Sequence, residues 1–375
     1  MRLHQIDALR GFALFGILIV NIFVFHAPYS HYTAFYGKFE GLESLVIENM
    51  IFFFGGKFMF IYAFLFGYSF WLQYQKIKDK NRLSAYWNKR MLILAIFGLL
   101  HILLLSYGDI LLPYALLGLS LPFFVRLKDR WVILCFLLVY LIPVYEFVLR
   151  GFVNFPSIFI QPILPLEEYI TSYSSGDVWE IFKLRLKDYF SLRNEKLIMY
   201  IPKELALFLT GMLAGKYQLA QRISWRLAVP FIIVAFGTIG AMFFFRSQII
   251  GLFDYENSVV QRSLLGLTIQ FSEFMHGGLY IIGFLFLWKN KMAQKLLYLL
   301  QFPGRLSLTN YLVQSLICSI IFNYMGYYGQ LLPSQLIIMA FVIFIIQVIF
   351  SYWWLQKHAQ GPIEKLWRNW SSVKS

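Results

Sequence analysis

The segment IDALRGFALFGILIVNIFVFHAPYSH, residues 6–31, decides the fold class of this chain. It is an apolar run with Asp7 and Arg10 near its start and His26 and His31 near its end. An apolar run of roughly 20 residues has the length of a helix that crosses a lipid bilayer. No small-residue cleavage site follows it, so we interpret it as a retained first membrane span rather than a signal peptide.

The composition extends this interpretation to the whole chain. Of the 375 residues, 59% are hydrophobic and only 14% are charged, which is more apolar surface than one soluble core can hide. We therefore predict an all-α fold, a polytopic transmembrane helix bundle of about ten spans in which residues 1–375 form a single domain. The candidate spans are 11–27, 50–73, 91–107, 109–125, 131–149, 201–219, 227–245, 264–287, 306–324 and 334–355.

The distribution of charge predicts the orientation. If the N-terminus is cytoplasmic, alternate loops hold two thirds of the 33 basic residues but only four of the 19 acidic ones. This pattern follows the positive-inside rule, so both termini are predicted to be cytoplasmic. The net charge of +14 then reflects topology and contact with membrane lipids, and it does not indicate a nucleic-acid partner.

The longest connection, residues 150–200, is predicted to be extracytoplasmic. Its segment DVWEIFKLRLKDYFSLRNEK, residues 177–196, places its apolar side chains mostly on one side of a helix. This pattern is typical of an amphipathic helix that lies on a membrane surface. Such a helix is either a lid over an outward-facing site or only a spacer, and we favour the spacer.

Polar side chains at membrane depth are costly, so each one indicates a structural pair or a functional site. His101 lies in the third span, eight residues before Asp109. A carboxylate near an imidazole orients the ring and raises its basicity, so His101 is a candidate catalytic base and Asp109 its orienting partner. The alternative is that His101 makes only an interhelical hydrogen bond.

The other intramembrane candidates are histidines and one glutamate. His26 and His31 stand at the outer rim of the first span, where a histidine is either interfacial or catalytic. Glu273 and His276 share one face of the eighth span, where they line a cavity or pair with each other. A haem held by His101 and His276 is a further alternative that nothing in the spacing supports.

No sequence motif for a metal or a phosphate loop is present. The two cysteines, Cys135 and Cys318, both lie inside apolar segments and encode no disulfide framework or cysteine-based metal site. The patterns HExxH, GxSxG and GK[ST] are absent from the sequence. We therefore expect no metal in the functional site.

The ninth span, GRLSLTNYLVQSLICSIIF at residues 304–322, carries polar residues at helical spacing. At 100° per residue they fall within about a third of the helix circumference. They predict one polar stripe, which either joins the span to another helix or lines a path for an extended polar ligand. The stripe consists of Ser307, Asn310, Tyr311, Gln314 and Cys318.

Several motifs in fixed order carry a family resemblance. They are Asp7-x-x-Arg10-Gly11 with Asn21, GKFMFIYAFLFG from Gly56, His101 followed by GDIL from Gly108, GRLSLTNYLVQS from Gly304, and GPIEKLWR from Gly361. Together they resemble the DUF418, or YeiB-like, family of bacterial membrane proteins, nearly from end to end. Within these motifs, Asp7, Gly11 and Lys57 are expected to have structural roles.

The resemblance implies a function. The family is similar to a branch of a transmembrane acyltransferase superfamily that includes the lysosomal heparan glucosaminide acetyltransferase. In those relatives, an acyl group from cytoplasmic acyl-CoA passes to an acceptor on the far side. The resemblance therefore implies a membrane-bound acyltransferase of the bacterial cell membrane, with acetyl-CoA or another acyl-CoA as donor. The acceptor would be a sugar, a glycolipid or a small metabolite.

The resemblance also implies roles for residues near the outer face. The acyltransferase relatives carry an Asn in the first span and a His after it. Asn21 matches that Asn and would stabilise a developing oxyanion, and His31, or less well His26, matches the His. The DUF418 pattern does not require a His at either place and includes His101, so the identity of the base stays open.

On the predicted cytoplasmic side, Arg10, Arg305 and Arg368 lie in family motifs and are expected to hold the CoA phosphates. Asn310 and Gln314 are expected to line the path of the pantetheine arm. The alternative function is a transporter or exporter of a small molecule, which broken helices at mid-membrane would favour. A structural or signalling membrane protein is the third interpretation, and a homodimer is one assembly that the sequence leaves open.

Overall fold

The computed structural model describes residues 3–77, 80–142, 163–191, 200–252 and 259–371, and their side chains except at 80–82, 242–252 and 259–269. Every regular element within these ranges is a helix, so the predicted all-α class is confirmed. Of the long connection 150–200, the parts 150–162 and 192–199 lie outside the described residues.

The helices are numbered in chain order. They are α1 His4–His26, α2 Tyr32–Tyr36, α3 Gly41–Phe53, α4 Lys57–Lys76, α5 Lys80–Leu104, α6 Leu111–Gly118, α7 Leu121–Phe124, α8 Asp129–Tyr140, α9 Leu166–Tyr173, α10 Val178–Ser191, α11 Ile201–Lys216, α12 Leu219–Arg222, α13 Trp225–Leu252, α14 Val259–Lys289, α15 Lys291–Leu297, α16 Gln301–Arg305, α17 Ser307–Ser319, α18 Pro333–Lys357 and α19 Pro362–Ser371.

Among the described residues, five segments are long and apolar enough to cross a membrane, which identifies the chain as a membrane protein. A sixth span results if Lys291–Arg305 and Ser307–Tyr324, which meet at an angle of 79°, are taken together. The five segments are His4–His26, Gly41–Lys76, Leu83–Leu104, Gln270–Lys289 and Pro333–Lys357.

The remaining predicted spans are helical where they are described. The span 227–245 lies within the 28-residue helix α13, whose side chains are described only up to residue 241. The span 109–125 appears as Leu111–Phe124, where Pro122 starts a separate short helix because proline cannot donate a helical hydrogen bond. The span 201–219 appears as the 16-residue helix α11. The span 131–149 is described only up to residue 142. The total of ten spans and the side of each terminus therefore stay predictions.

The bundle is held at one place by direct contact between the backbones of α1 and α16. A Cβ atom at Gly304 would lie 1.8 Å from the carbonyl oxygen of Asp7, and one at Gly11 would lie 1.9 Å from that of Leu300. Only glycine permits this approach, and close crossings of this kind give membrane helices their contact area. Gly11 and the start of the Gly304 motif thus face each other.

A second crossing of the same kind joins α4 to α11. A Cβ atom at Gly67 would lie 1.9 Å from the carbonyl oxygen of Phe208, and one at Gly211 would lie 1.9 Å from that of Phe64. The contact is reciprocal, so neither glycine tolerates a side chain without separating the helices.

The two ends of the bundle hold different residues. The basic end contains Arg10, Arg305 and Arg368. The lid end contains His26 together with helices α9 and α10. Helix α17 runs from the basic end to the lid end, and the residues that follow it, Ile320–Tyr324, form a π-helical turn.

Candidate functional site

The structure brings together the two residues predicted as base and orienting partner. His101 lies in the last turn of α5, and its Nδ1 atom is 3.1 Å from Oδ1 of Asp109, at ion-pair distance. The other carboxylate oxygen of Asp109 accepts the backbone N–H of Leu112 in the first turn of α6, at 2.7 Å. This cap fixes the carboxylate at the helix start, where an anion is stabilised.

The opposite side of the imidazole contacts a residue that sequence analysis did not select. Nε2 of His101 lies 2.8 Å from Oγ of Ser315 in α17. The ring also stacks on Tyr311, with ring centroids 5.1 Å apart. All of these groups are buried: His101 is 2% exposed, Asp109 3% and Ser315 1%. The result is an Asp–His–Ser arrangement inside the bundle.

Ser315 belongs to a row of polar residues that recurs every four positions along α17. Residues four apart are neighbours on a helix face, so the row follows a continuous, slowly winding line. The first member contacts the hydroxyl of Tyr62, and the last donates from its amide to the carbonyl oxygen of Tyr173 at 3.3 Å. The row consists of Ser307, Tyr311, Ser315, Ser319 and Asn323.

The single stripe predicted for this span is therefore two rows that face different neighbours. Asn310 and Gln314 lie about 100° from the first row and turn towards α18. The amide of Asn310 donates to Oγ of Ser351 at 2.9 Å, and that of Gln314 donates to Oε1 of Gln347 at 2.7 Å. Gln347 in turn donates to the backbone oxygen of Asn310. This is interhelical hydrogen bonding rather than the wall of a path.

Helix α10 covers the lid end directly above His101. Arg185, 3% exposed, donates to the carbonyl oxygen of Leu103 and to Oγ of Ser319, each at 3.4 Å. Leu103 is two residues beyond His101, and Ser319 is one turn beyond Ser315. Helix α10, which the sequence predicted as either a lid or a spacer, therefore contacts the ends of α5 and α17 beside this site through a buried cation.

The same face of α10 carries a buried carboxylate. Oδ1 of Asp188 accepts the hydroxyl of Tyr169 at 2.7 Å, and Oδ2 accepts that of Tyr173 at 2.5 Å. Burial raises the pKa of Asp188 from 3.8 to about 6, although the two hydroxyl donors oppose the shift. The carboxylate thereby fastens α10 to α9.

His26 has both ring nitrogens in hydrogen bonds. Its Nε2 atom accepts the backbone N–H of Leu331 at 3.0 Å, and its Nδ1 atom lies 3.0 Å from the hydroxyl of Tyr36, which donates to the oxygen of Phe23. The residue is fully buried. These bonds attach the turn before α18 to the end of α1, and within the described residues no hydrogen bond or ring contact joins His26 to His101.

The other two outer candidates, His31 and Asn21, make no hydrogen bond or ring contact with His101 within the described residues. His31 lies beside Tyr169, with ring centroids 5.4 Å apart, and its Nδ1 atom is 3.2 Å from Oγ of Ser30. Desolvation lowers the pKa of His31, which favours the neutral ring. Asn21 is half-buried, and no hydrogen bond joins it to His101 or Asp109 within the described residues. Its match to the relatives therefore stays a prediction.

Asp7 and Lys57, the expected structural residues, both hold helices together. Nη1 of Arg10 donates to Oδ1 of Asp7 at 3.0 Å, and its Nη2 donates to Oγ of Ser69 in α4 at 2.7 Å. Lys57, 8% exposed, donates to the carbonyl oxygen of Ile51 at 2.9 Å. A cation at this position stabilises the C-terminal end of α3.

The basic end is closed by the C-terminal helix. Arg305 donates to the carbonyl oxygen of Ala359 at 3.0 Å, which ties the start of α17 to the segment before α19, and Arg368 is exposed on α19. Glu364 accepts the backbone N–H groups of Leu308 and Thr309 at 2.8 and 3.0 Å. No local pattern reveals this cap, because its partners lie 55 and 56 residues away in the chain.

Glu273 and His276 do not pair with each other, contrary to one of the two alternatives. Glu273 accepts a hydrogen bond from Lys203 in α11. His276 turns back onto its own helix, with Nδ1 3.0 Å from the carbonyl oxygen of Ser272. The two side chains leave the same helix face towards different partners.

An apolar cavity of about 320 Å³ lies between α13, α14 and the bundle. Its walls include Leu9, Phe60, Ala214, Phe231 and Gly278. No member of the Asp–His–Ser arrangement lines it, so its shape contributes nothing to the chemistry of His101.

Comparison with known proteins identifies relatives over the whole chain. Residues 214–374 match a family described as "Protein of unknown function (DUF418)". The chain is 26% identical to "Uncharacterized protein YxaH" of Bacillus subtilis (strain 168), over 98% of this chain and 94% of the relative. It is 26% identical to "Uncharacterized protein YeiB" of Escherichia coli (strain K12), over 97% and 94% of the two chains. The resemblance to the DUF418, or YeiB-like, family is thereby confirmed.

Proposed function

We propose that this protein is a transmembrane acyltransferase of the bacterial plasma membrane. It would move an acyl group, most simply acetyl, from cytoplasmic acyl-CoA to an extracytoplasmic acceptor. The acceptor would be a sugar, a glycolipid or a small metabolite. Its likeness to a DUF418 family of membrane proteins with bacterial relatives supports the location.

The observation that carries the proposal is the position of His101 between Asp109 and Ser315. The negative charge of a carboxylate 3.1 Å from Nδ1 would favour the tautomer that carries its proton on Nδ1 and leaves Nε2 as an acceptor. An imidazole in this state removes a proton from a hydroxyl or an amine as it attacks a carbonyl carbon. Acyl transfer is the reaction class that needs such a base.

The polar row of α17 supports transfer across the membrane. It joins the basic end, where Arg10, Arg305 and Arg368 lie, to the lid end below α10. Arginine binds phosphate groups well, so CoA would lie at the basic end with its arm directed along the row. Asn310 and Gln314 take no part in this route, because they bond to α18.

The test is acyl transfer by the purified full-length protein in oriented vesicles. Acetyl-CoA labelled on the acetyl group is supplied at the basic end, and an extract of envelope glycolipids and oligosaccharides at the lid end. We expect labelled product with the natural protein. His101→Ala should lower its rate by about 10²–10⁴-fold, since that is the usual contribution of general base catalysis. Exposed His358 provides a control, and His358→Ala should keep the rate. Equal rates for both variants would contradict the proposal.

The second candidate function, a transporter or exporter, is favoured by one observation. Lys291–Arg305 and Ser307–Tyr324 meet at 79°, and broken helices of this kind build the binding sites of many transporters. The two functions differ in their need for a donor. Movement of labelled sugar or metabolite across vesicles without acyl-CoA would support transport, and strict dependence on acyl-CoA would support transfer.

A further inference from the structure

We propose that Ser315 is the nucleophile of this site and carries the acyl group as an oxygen ester between two half-reactions. The inference rests on the proposed acyltransferase function, because the donor is the same acyl-CoA. It assigns a covalent step to a residue that lies within a family motif but that no local pattern distinguishes from the other serines of α17.

The first support is the direction of the Ser315 hydroxyl. A buried serine in a helix commonly donates to the carbonyl oxygen four residues earlier. Half-buried Ser69 in α4 does so here, at 2.6 Å from the oxygen of Leu65. Ser315 points instead at Nε2 of His101, at 2.8 Å. With Asp109 at Nδ1, Nε2 is the acceptor, so the serine proton is directed to the base as in an activated nucleophile.

The second support is the order of the three groups. Carboxylate, imidazole and hydroxyl contact one another in the spatial order that a Ser–His–Asp triad requires, and such triads are recognised by geometry on unrelated folds. Burial of all three strengthens their electrostatic interaction.

Two groups next to Ser315 suit the charge that develops on the carbonyl oxygen. The hydroxyl of Tyr311, one turn towards the basic end, is buried and faces the backbone N–H of Ile110, and its own proton has no acceptor among the described residues. The guanidinium of Arg185 lies one turn towards the lid end, where it bonds to Ser319. Donors held in place near a developing oxyanion lower the barrier to acyl transfer.

The depth of Ser315 explains why a carrier is useful. It lies eight residues from Ser307, which corresponds to roughly 12 Å along the helix axis. The donor reaches it from the basic end, and the acceptor reaches it from below α10. A covalent intermediate allows CoA to leave before the acceptor arrives, so the two substrates never occupy the buried site together.

The chemistry balances in two steps. The Ser315 oxygen attacks the thioester carbonyl of acetyl-CoA while Nε2 of His101 takes its proton. The C–S bond then breaks, and the thiolate receives that proton to give CoA and acetyl-Ser315. In the second step, an acceptor hydroxyl or amine attacks the ester while His101 takes its proton. The bond to the serine oxygen breaks, and the serine regains the proton.

Exchange in the absence of an acceptor tests the covalent step. Full-length protein in lipid nanodiscs is given unlabelled acetyl-CoA and labelled CoA, and label in acetyl-CoA is measured. A covalent intermediate makes this exchange possible, whereas single-step transfer gives none. We expect exchange with the natural protein and a loss of about 10³-fold in Ser315→Ala. Ser351→Ala removes a buried hydroxyl on α18 and should stay within about twofold of the natural rate.

The intermediate itself is identified by mass spectrometry. An acetyl group should appear on the peptide containing Ser315, and it should survive neutral hydroxylamine. Hydroxylamine cleaves a thioester, as would form at the nearby Cys318, but not an oxygen ester. If acyl transfer to acceptors persists in Ser315→Ala, the proposal that Ser315 is the nucleophile is wrong, while the acyltransferase proposal stands. Absence of acetyl-CoA binding and of transfer by the natural protein would overturn both proposals.

Discussion

The imidazole of His101 and the hydroxyl of Ser315 lie 2.8 Å apart, although 214 residues separate them in the chain. This contact joins α5 to α17 in the interior of the bundle and completes an arrangement that Asp109 begins. Each group needs the other two, because a buried polar side chain without a partner costs about 1–3 kcal/mol. The contact therefore has consequences for catalysis and for stability.

Asp109→Asn should keep the fold and lose the chemistry. The amide oxygen can still cap Leu112, but the amide nitrogen would face Nδ1 and shift the ring proton to Nε2. The base then presents a proton to Ser315, and exchange of CoA should fall by about 10⁴-fold, as in other triads. The measurement is the exchange rate beside the melting temperature. An unchanged rate at an unchanged melting temperature would remove Asp109 from the mechanism.

Gly304→Ala should destabilise the bundle. The new methyl group would lie 1.8 Å from the carbonyl oxygen of Asp7, so α1 and α16 must separate at a cost of about 1–3 kcal/mol. Thermal unfolding in detergent measures the change. Gly283→Ala is the matched control, because its methyl group meets no atom within 4 Å. Equal melting temperatures for the two variants would show that the crossing is looser than described.

Stability should fall as pH rises from about 4 to 6 because of Asp188. Burial raises the pKa of this carboxyl from 3.8 to about 6, so the folded protein holds the proton more tightly than the unfolded chain. This contribution of Asp188 to stability is complete below the pKa of the unfolded chain and is lost as pH rises through the pKa of the folded protein. It amounts to about 1–3 kcal/mol. Over this pH range, the melting temperature of Asp188→Asn should depend less on pH than that of the natural protein.

Tyr173→Phe tests the same carboxyl from the opposite direction. It removes a hydroxyl that donates to Oδ2 of Asp188, so the ionised form loses a partner and the pKa should rise further. The loss of stability should then extend above pH 6. A slope that is identical in the natural protein, Tyr173→Phe and Asp188→Asn would assign the effect to another group.

Glu364→Ala should loosen the start of α17. The carboxylate accepts two backbone N–H groups and the hydroxyl of Thr309, and loss of such a cap costs about 0.5–2 kcal/mol. Hydrogen exchange at residues 308–310 should accelerate, and the melting temperature should fall. Lys365→Ala changes the exposed neighbour and should leave both unchanged. Equal protection of residues 308–310 from hydrogen exchange in the two variants would show that the cap contributes no stability.

Short-range features could be predicted from the sequence. His101 and Asp109 are eight residues apart, and Gly108 allows the chain to turn back between them, so their contact could be anticipated. The apolar face of α10 was also visible, but the inward direction of Arg185 and Asp188 was not. Charged residues are expected to face water, and their burial depends on partners from α5, α9 and α17 that no local pattern contains.

The polar residues of the ninth span show the same limit. The helical period of 3.6 residues placed them on one side of the helix. In the structure they form two rows that face different partners. Asn310 and Gln314 differ from Tyr311 and Ser315 by about 100°, which is enough to separate two neighbouring helices. Which row faces α18 and which faces His101 depends on packing. The periodic pattern therefore could not separate Asn310 and Gln314, which were expected to line the path of the pantetheine arm, from the row that contacts His101.

The sequence by itself determined that this is an all-helical membrane protein, because long apolar runs satisfy their backbone hydrogen bonds in lipid only as helices. It also determined the family resemblance, and it predicted His101 and Asp109 as a candidate base and its orienting partner. Only the tertiary structure decided that Ser315 joins them, that His26 is held by Leu331, and that α10 covers the site. These relationships are contacts between distant segments, and they exist only once the backbones meet at glycines such as Gly11 and Gly304.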